Sequence, residues 1–147
     1  MSDVNITFDD GIQTVMLNND PDRIIKWNPS DMEFIDRFMA FQSYVDQDLT
    51  PKITQIYETI SQGNGMTAYK QGAITELGQI FNNELDKAFG YKVSEKAFMG
   101  ASPLSSTKNG NLIFMNFLDA LTPLIEQSTK DFESARGKYT EKYRPKK

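Results

Sequence analysis

The sequence predicts an α+β fold, mainly helical, in which a short N-terminal antiparallel β-hairpin packs on a bundle of about four helices. Two observations carry this. Residues 4–28 alternate apolar and polar side chains between turn signals, the period of a half-buried strand. From Ser30 onward, apolar residues instead recur three and four apart, the period of a helix that buries one face. The 147 residues suit one domain able to bury a core without staples. It divides into a small sheet over 1–28, a helical core over 30–136 and a basic tail over 137–147.

Val4-Asn5-Ile6-Thr7-Phe8 reads as the first strand and Asp9-Asp10-Gly11 as its hairpin turn, Gly accepting positive φ without penalty. Ile12 to Leu17 resumes as a second strand, and Asn18-Asn19-Asp20-Pro21 is a further turn cluster. Arg23 to Trp27 is a candidate third strand, so the sheet has two or three. Two strands alone are marginal in water, and the sheet must therefore pack on helices.

The first helix begins at a capping box, Ser30 with Glu33, and carries Phe34, Ile35, Phe38, Phe41, Val45 and Leu49 on one stripe. Thr50-Pro51 predicts a break and restart, because proline lacks an amide donor and disfavours helix just before it. A second helix then carries Ile53, Ile56, Tyr57 and Ile60 and ends at Gly63-Asn64-Gly65. The third begins near Thr67, buries Ile74, Leu77, Phe81, Leu85 and Ala88, and is capped by Gly90. Ser94 to Phe98 is one short helical turn closed by Gly100, and the polar stretch from Ala101 to Gly110 is a loop. The last helix is the longest, with Phe114, Phe117, Leu118, Leu121, Ile125, Phe132, Ala135 and Tyr139 on one face; Pro123 within it predicts a kink.

Composition narrows the chemistry more than it widens it. The chain has no Cys and no His, which removes disulfides, thiolate nucleophiles, Ser-His-Asp triads and ordinary zinc hydrolase sites together. A net charge of −4 argues against nucleic-acid binding, which needs a basic face. No apolar run approaches a membrane span, and the start lacks the basic and apolar regions of a secretory signal. Charge is unevenly placed: residues 1–50 hold ten acids and three bases, whereas 136–147 hold six bases and one acid.

Carboxylates are the remaining catalytic option. Asp46 with Asp48, and Glu84 with Asp86, lie two apart and point to different helix faces. Glu33 with Asp36, or Glu76 with an acid elsewhere, could form a glycosidase pair, whose separation the sequence does not give, and solvated helix faces account for such surface acids more readily. The Asp9-Asp10-Gly11 and Asp20-Pro21-Asp22 turns lack the twelve-residue frame of an EF-hand. Gly63-Asn64-Gly65 lacks the lysine of a phosphate loop, and Gly100-Ala101-Ser102 has no second glycine and no His to serve the serine. No catalytic residue, cofactor or metal ligand is expected, and the chain reads as a binding protein rather than an enzyme.

Candidate interaction residues follow from apolar side chains outside the core stripes. Trp27, the sole tryptophan, is either core packing or an interface anchor. Met32 and Met39 lie off the main stripe of the first helix, and Leu112 and Met115 off that of the last, which suggests a wrapped core or an oligomer contact. Arg136, Lys138, Lys142 and Arg144 form either a solvated helix end or a basic tail that meets an acidic partner or neighbouring subunit.

Ile80-Phe81-Asn82-Asn83-Glu84-Leu85-Asp86-Lys87-Ala88-Phe89-Gly90, followed by Ser94-Glu95-Lys96-Ala97-Phe98-Met99-Gly100, closes one helix in Phe-Gly and a short turn in Phe-x-Gly. A polar loop and a long amphipathic helix complete the pattern. This C-terminal half resembles a family of small tail-region proteins of tailed bacteriophages of Gram-positive hosts, similar to tail assembly chaperones; the ending Lys142 to Lys147 also suits it. The resemblance implies a homo-oligomeric protein of the bacterial host cytoplasm that binds the tape-measure protein, and tail-tube subunits, during tail assembly. The rival expectations are a minor structural tail or connector protein and an inhibitor of a host defence protein.

Overall fold

A computed structural model describes residues 3–59 and 72–142, with side-chain surroundings given through residue 134. The chain is mainly helical and carries a two-stranded antiparallel hairpin ahead of its helices, as the hydrophobic periods predict. The strands are β1 (Gln13–Met16) and β2 (Ile24–Trp27), and the helices are α1 (Met32–Tyr44), α2 (Thr50–Thr59), α3 (Ala73–Phe89), α4 (Val93–Phe98) and α5 (Ile113–Lys142).

The hairpin differs from expectation in which segments form it. The expected second and third strands pair, in the register Gln13 with Trp27 through Met16 with Ile24. Residues 4–8 form no strand, and Val4, Ile6 and Phe8 are 91%, 75% and 72% exposed. Asp9 and Asp10 account for this locally: each carboxylate accepts the backbone amide two residues on, from Gly11 and Ile12. Those side-chain bonds compete with a tight hairpin turn for the same amides. Asn18 and Asn19 supply the left-handed residues of the β1–β2 connection, a conformation Asn tolerates better than most side chains. Ile25 and Trp27 face the core, while Ile24 and Lys26 face out, the alternation that a sheet packed on one side requires.

Helix α1 is capped one residue later than the capping box predicts. Asp31 is the N-cap, its Oδ1 accepting from the Glu33 amide at 2.9 Å, and Ser30 turns instead to Asn28 Oδ1. Asp caps as well as Ser does, and here Asn28 already engages the serine. The expected break at Thr50-Pro51 is absent. Val45–Leu49 forms a π-helical turn in which the Thr50 amide bonds to the Val45 carbonyl, so helix runs from α1 into α2. A wider turn accepts Pro51, whose ring would crowd the Gln47 carbonyl in a regular helix. Ile60, Gly63 to Gly65 and Thr67 lie outside the described residues.

The Gly90 cap falls where expected, at φ 84°, and α4 is closed by two left-handed residues, Met99 and Gly100. Asp86 on α3 joins the two helices by accepting both the Ser94 amide and the Ser94 hydroxyl at 2.8 Å. The loop after α4 is anchored by buried Pro103 against Gly78, where an added Cβ would already be in van der Waals contact with the proline ring. Asn116 closes the same loop, its Nδ2 donating to Thr107 Oγ1 while its Oδ1 accepts from the Asn109 side chain. Helix α5 continues through Pro123, which lies on its exposed side.

The core is aromatic at its centre. Phe81 on α3 is fully buried, with ring centroids 5.5 Å from Phe41 of α1, 5.9 Å from Phe98 of α4 and 5.0 Å from Phe114 of α5. Phe34 and Phe38 extend the contact by edge-on approach to Phe89. Truncating the residue that three other helices share leaves a cavity none of them can fill alone. Phe81→Ala is expected to lower the unfolding free energy by about 3–5 kcal/mol in urea titrations; a loss under about 1 kcal/mol would show that the core closes around the gap.

Candidate protein-interaction surface

Trp27, one candidate anchor, is not available to a partner. It is 4% exposed, and its indole Nε1 donates to Ser128 Oγ at 3.1 Å, tying β2 to α5. The Ser128 hydroxyl in turn donates to the Ile125 carbonyl, so the tryptophan's polar edge is satisfied inside the fold. Leu112 is also buried, at 8%, against the expectation that it faces away from the core. It precedes α5, where the chain enters the helix from the Ser106–Leu112 bridge, so helical spacing does not govern its direction.

Met32, Met39 and Met115 do project outward, at 53%, 59% and 41% exposure. Two of them mark one seam. Between α1–α2 and α5 lies an open groove of about 940 Å³ with Ile53, Leu112, Phe114, Met115 and Leu118 in its lining and Tyr57 at one side. A smaller groove of about 340 Å³ continues on the other side of Gln42, where Met39, Ile35 and Phe38 face Ile125 and Thr129. Gln42 borders both. Met32 lines neither. The Lys142 backbone belongs to α5, the side chains of Arg136, Lys138 and Lys142 lie beyond those described, and Arg144 lies outside the described residues.

The charge of the larger groove is one-sided. Asp46 and Asp119 line the larger groove, and no Lys or Arg is among its described lining residues. Sequence patterning did not anticipate this pairing, because Asp46 and Asp119 sit on helices far apart in the chain. Tyr57, which the sequence groups with Ile53, Ile56 and Ile60 on the second helix, is 45% exposed. An aromatic ring among aliphatic neighbours is the signal the sequence offers for it.

Several carboxylates bond the backbone or a neighbouring side chain. Asp9, Asp10 and Asp20 each cap a backbone amide two residues on, Asp86 holds Ser94, and Glu33 reaches Arg37 at 4.0 Å on the surface. Among the described residues no three acidic side chains cluster to hold a metal ion, and no helix is long and apolar enough to cross a membrane. Tyr44 is the most perturbed titratable group among the described residues. Partial burial, with the Glu84 and Asp48 carboxylates nearby, pushes its phenol up to about 12. Neither groove includes these three residues. Tyr91 is also raised by burial, although its hydroxyl bonds the Lys26 backbone and pulls the other way.

With this geometry in place, comparison with known proteins adds nothing to it: no family model, curated protein or solved structure matches the chain.

The raised Tyr44 sets an alkaline limit. Its folded pKa exceeds the unfolded value of 10, so the stabilising difference is complete below pH 10 and disappears as pH rises to about 12. Stability is therefore expected to fall across that window, and Tyr44→Phe to flatten the fall, read from denaturation midpoints at successive pH. Ultraviolet titration of the folded protein in which every tyrosine ionises near pH 10 would contradict the assignment.

Proposed function

We propose that this is a non-enzymatic binding protein that holds an amphipathic client helix in the seam between α1–α2 and α5, acting as a phage tail assembly chaperone for the tape-measure protein. The observation that carries the reading is the larger groove: open to solvent, with Val45, Ile53, Leu112, Phe114, Met115 and Leu118 among its lining, and bordered by α1, α2 and α5. Helix-in-groove recognition needs an apolar trough of this kind, entered by residues spaced three and four apart on the client. Asp46 and Asp119 then favour a client helix flanked by Lys or Arg, and disfavour one flanked by acids. Met39 and Met115 suit a surface that adapts to several helical segments in turn, since methionine is unbranched and fits irregular partners.

The resemblance contributes the biological setting. Its residues, Ile80 to Gly90 and Ser94 to Gly100, build the α3–α4 corner through the Gly90 cap, the Asp86–Ser94 bonds and Phe81 with Phe98. They are scaffold residues, and the seam they support lies elsewhere. Tail-tube subunits are a second class of client under the same reading. The work would take place in the cytoplasm of the bacterial host, where a long helical client must be kept from aggregating before assembly.

Co-expression with a tape-measure protein tests this. The chain is expected to raise the client's soluble fraction and to co-purify with it. Met115→Asp, at an exposed groove position, is expected to weaken that capture by about tenfold or more while leaving the thermal midpoint close to the parent's. Equal capture by the variant, or none by the parent, would overturn the proposal.

A further inference from the structure

The N-terminal arm and the sheet edge next to it are each incomplete, and they are complementary. Val4, Ile6 and Phe8 alternate with Asn5 and Thr7 at strand period, yet the segment forms no strand and its apolar side chains are exposed. The β1–β2 sheet has two edges. That of β2 is already used: the Tyr91 hydroxyl accepts from the Lys26 amide at 2.7 Å and donates to the Lys26 carbonyl. Lys26 therefore turns both backbone groups away from β1. Its cross-strand partner Thr14 does the same on the opposite side, because paired residues in an antiparallel ladder share that orientation. The edge of β1 thus presents Thr14 backbone groups to which β2 is not bonded.

The arm is not paired with that edge in its own chain. The Asp9 and Asp10 turns take up the Gly11 and Ile12 amides, and Gly11, at φ 74°, lies beside Asn28 and Ser30 past the end of β2. We propose that the arm of one copy adds as a strand to the β1 edge of a second copy, in reciprocal exchange. Antiparallel pairing with Ile6 opposite Val15 places Val4, Ile6 and Phe8 on the core-facing side, extending the surface of half-buried Val15 and Leu17. The same register sets Thr7 opposite Thr14, so the backbone groups of Thr14 gain partners. Each copy supplies one strand and one edge, so the contact closes as a two-fold dimer and leaves neither unmatched. This is independent of any client in the α1–α5 seam.

The chain has no cysteine, which makes the pairing directly readable. Ile6→Cys and Val15→Cys are placed in separate chains carrying tags of different mass, mixed and oxidised. A disulfide joining the two tags is expected, since opposed strand positions bring Cβ atoms within bridging distance. Sedimentation of the parent is expected to show a dimer, which Thr14→Pro weakens by about tenfold or more without unfolding the monomer, because that amide points away from β2. Three results would overturn the proposal: a parent that stays monomeric at every concentration, a cross-link that forms only when both cysteines share one chain, or a dimer indifferent to Thr14→Pro that gives no mixed disulfide.

Discussion

Everything in this fold leans on one ring. Phe81 is the point at which α1, α3, α4 and α5 meet, and its contacts with Phe41, Phe98 and Phe114 are what make four helices a single core. The edge-on and tilted geometries bury large apolar area while keeping each ring's positive edge against a neighbour's face. Phe98 passes the contact on to Phe117, and Phe41 passes it to Phe38 and from there to Phe89. A helical protein rich in phenylalanine and without disulfides or histidine has few other ways to specify one arrangement of its helices.

Around that centre the elements are clamped by side chains that bond to backbone. Arg23, between the strands, donates to the Lys96 and Ala97 carbonyls at the end of α4, where unsatisfied carbonyls and the helix dipole both favour a cation. Arg37 of α1 does the same for Ala88 near the end of α3. Lys96 returns the contact to the hairpin through the Asp22 carbonyl. The small sheet, too short to stand alone, is held by these bonds together with Tyr91 and Trp27. Most of the charged residues whose partners are seen therefore fasten the structure.

The helical stripes were legible in the sequence because each is a local pattern: Phe34, Phe38, Phe41, Val45 and Leu49 are all buried as their spacing implies. The Gly90 cap was legible for the same reason, a single residue type suited to a single backbone conformation. What escaped were outcomes decided between competing local options or by distant partners. Ser30 and Asp31 are both good caps, and Asn28 decided between them. Pro51 signals a break, but the signal cannot tell a break from a widened turn. Residues 4–8 have the pattern of a strand, yet the pattern is silent on where its partner is. Of the candidate surface residues, Met39 and Met115 share the seam, whereas Trp27 and Leu112 are interior. The direction of each was set by tertiary contacts such as Ser128.

The widened turn at Val45–Leu49 has a mechanical meaning. It inserts one residue's worth of rotation, about 100°, between α1 and α2. Side chains before it and after it are thereby phased independently: Phe34, Phe38 and Phe41 point at α3 and its rings, while Ile53 and Tyr57 look toward α5. One unbroken rod so lines core and seam together: Phe34 and Phe41 pack on α3 while Met39 and Gln42 border the seam, and beyond the turn buried Ile53 and exposed Tyr57 line the larger groove.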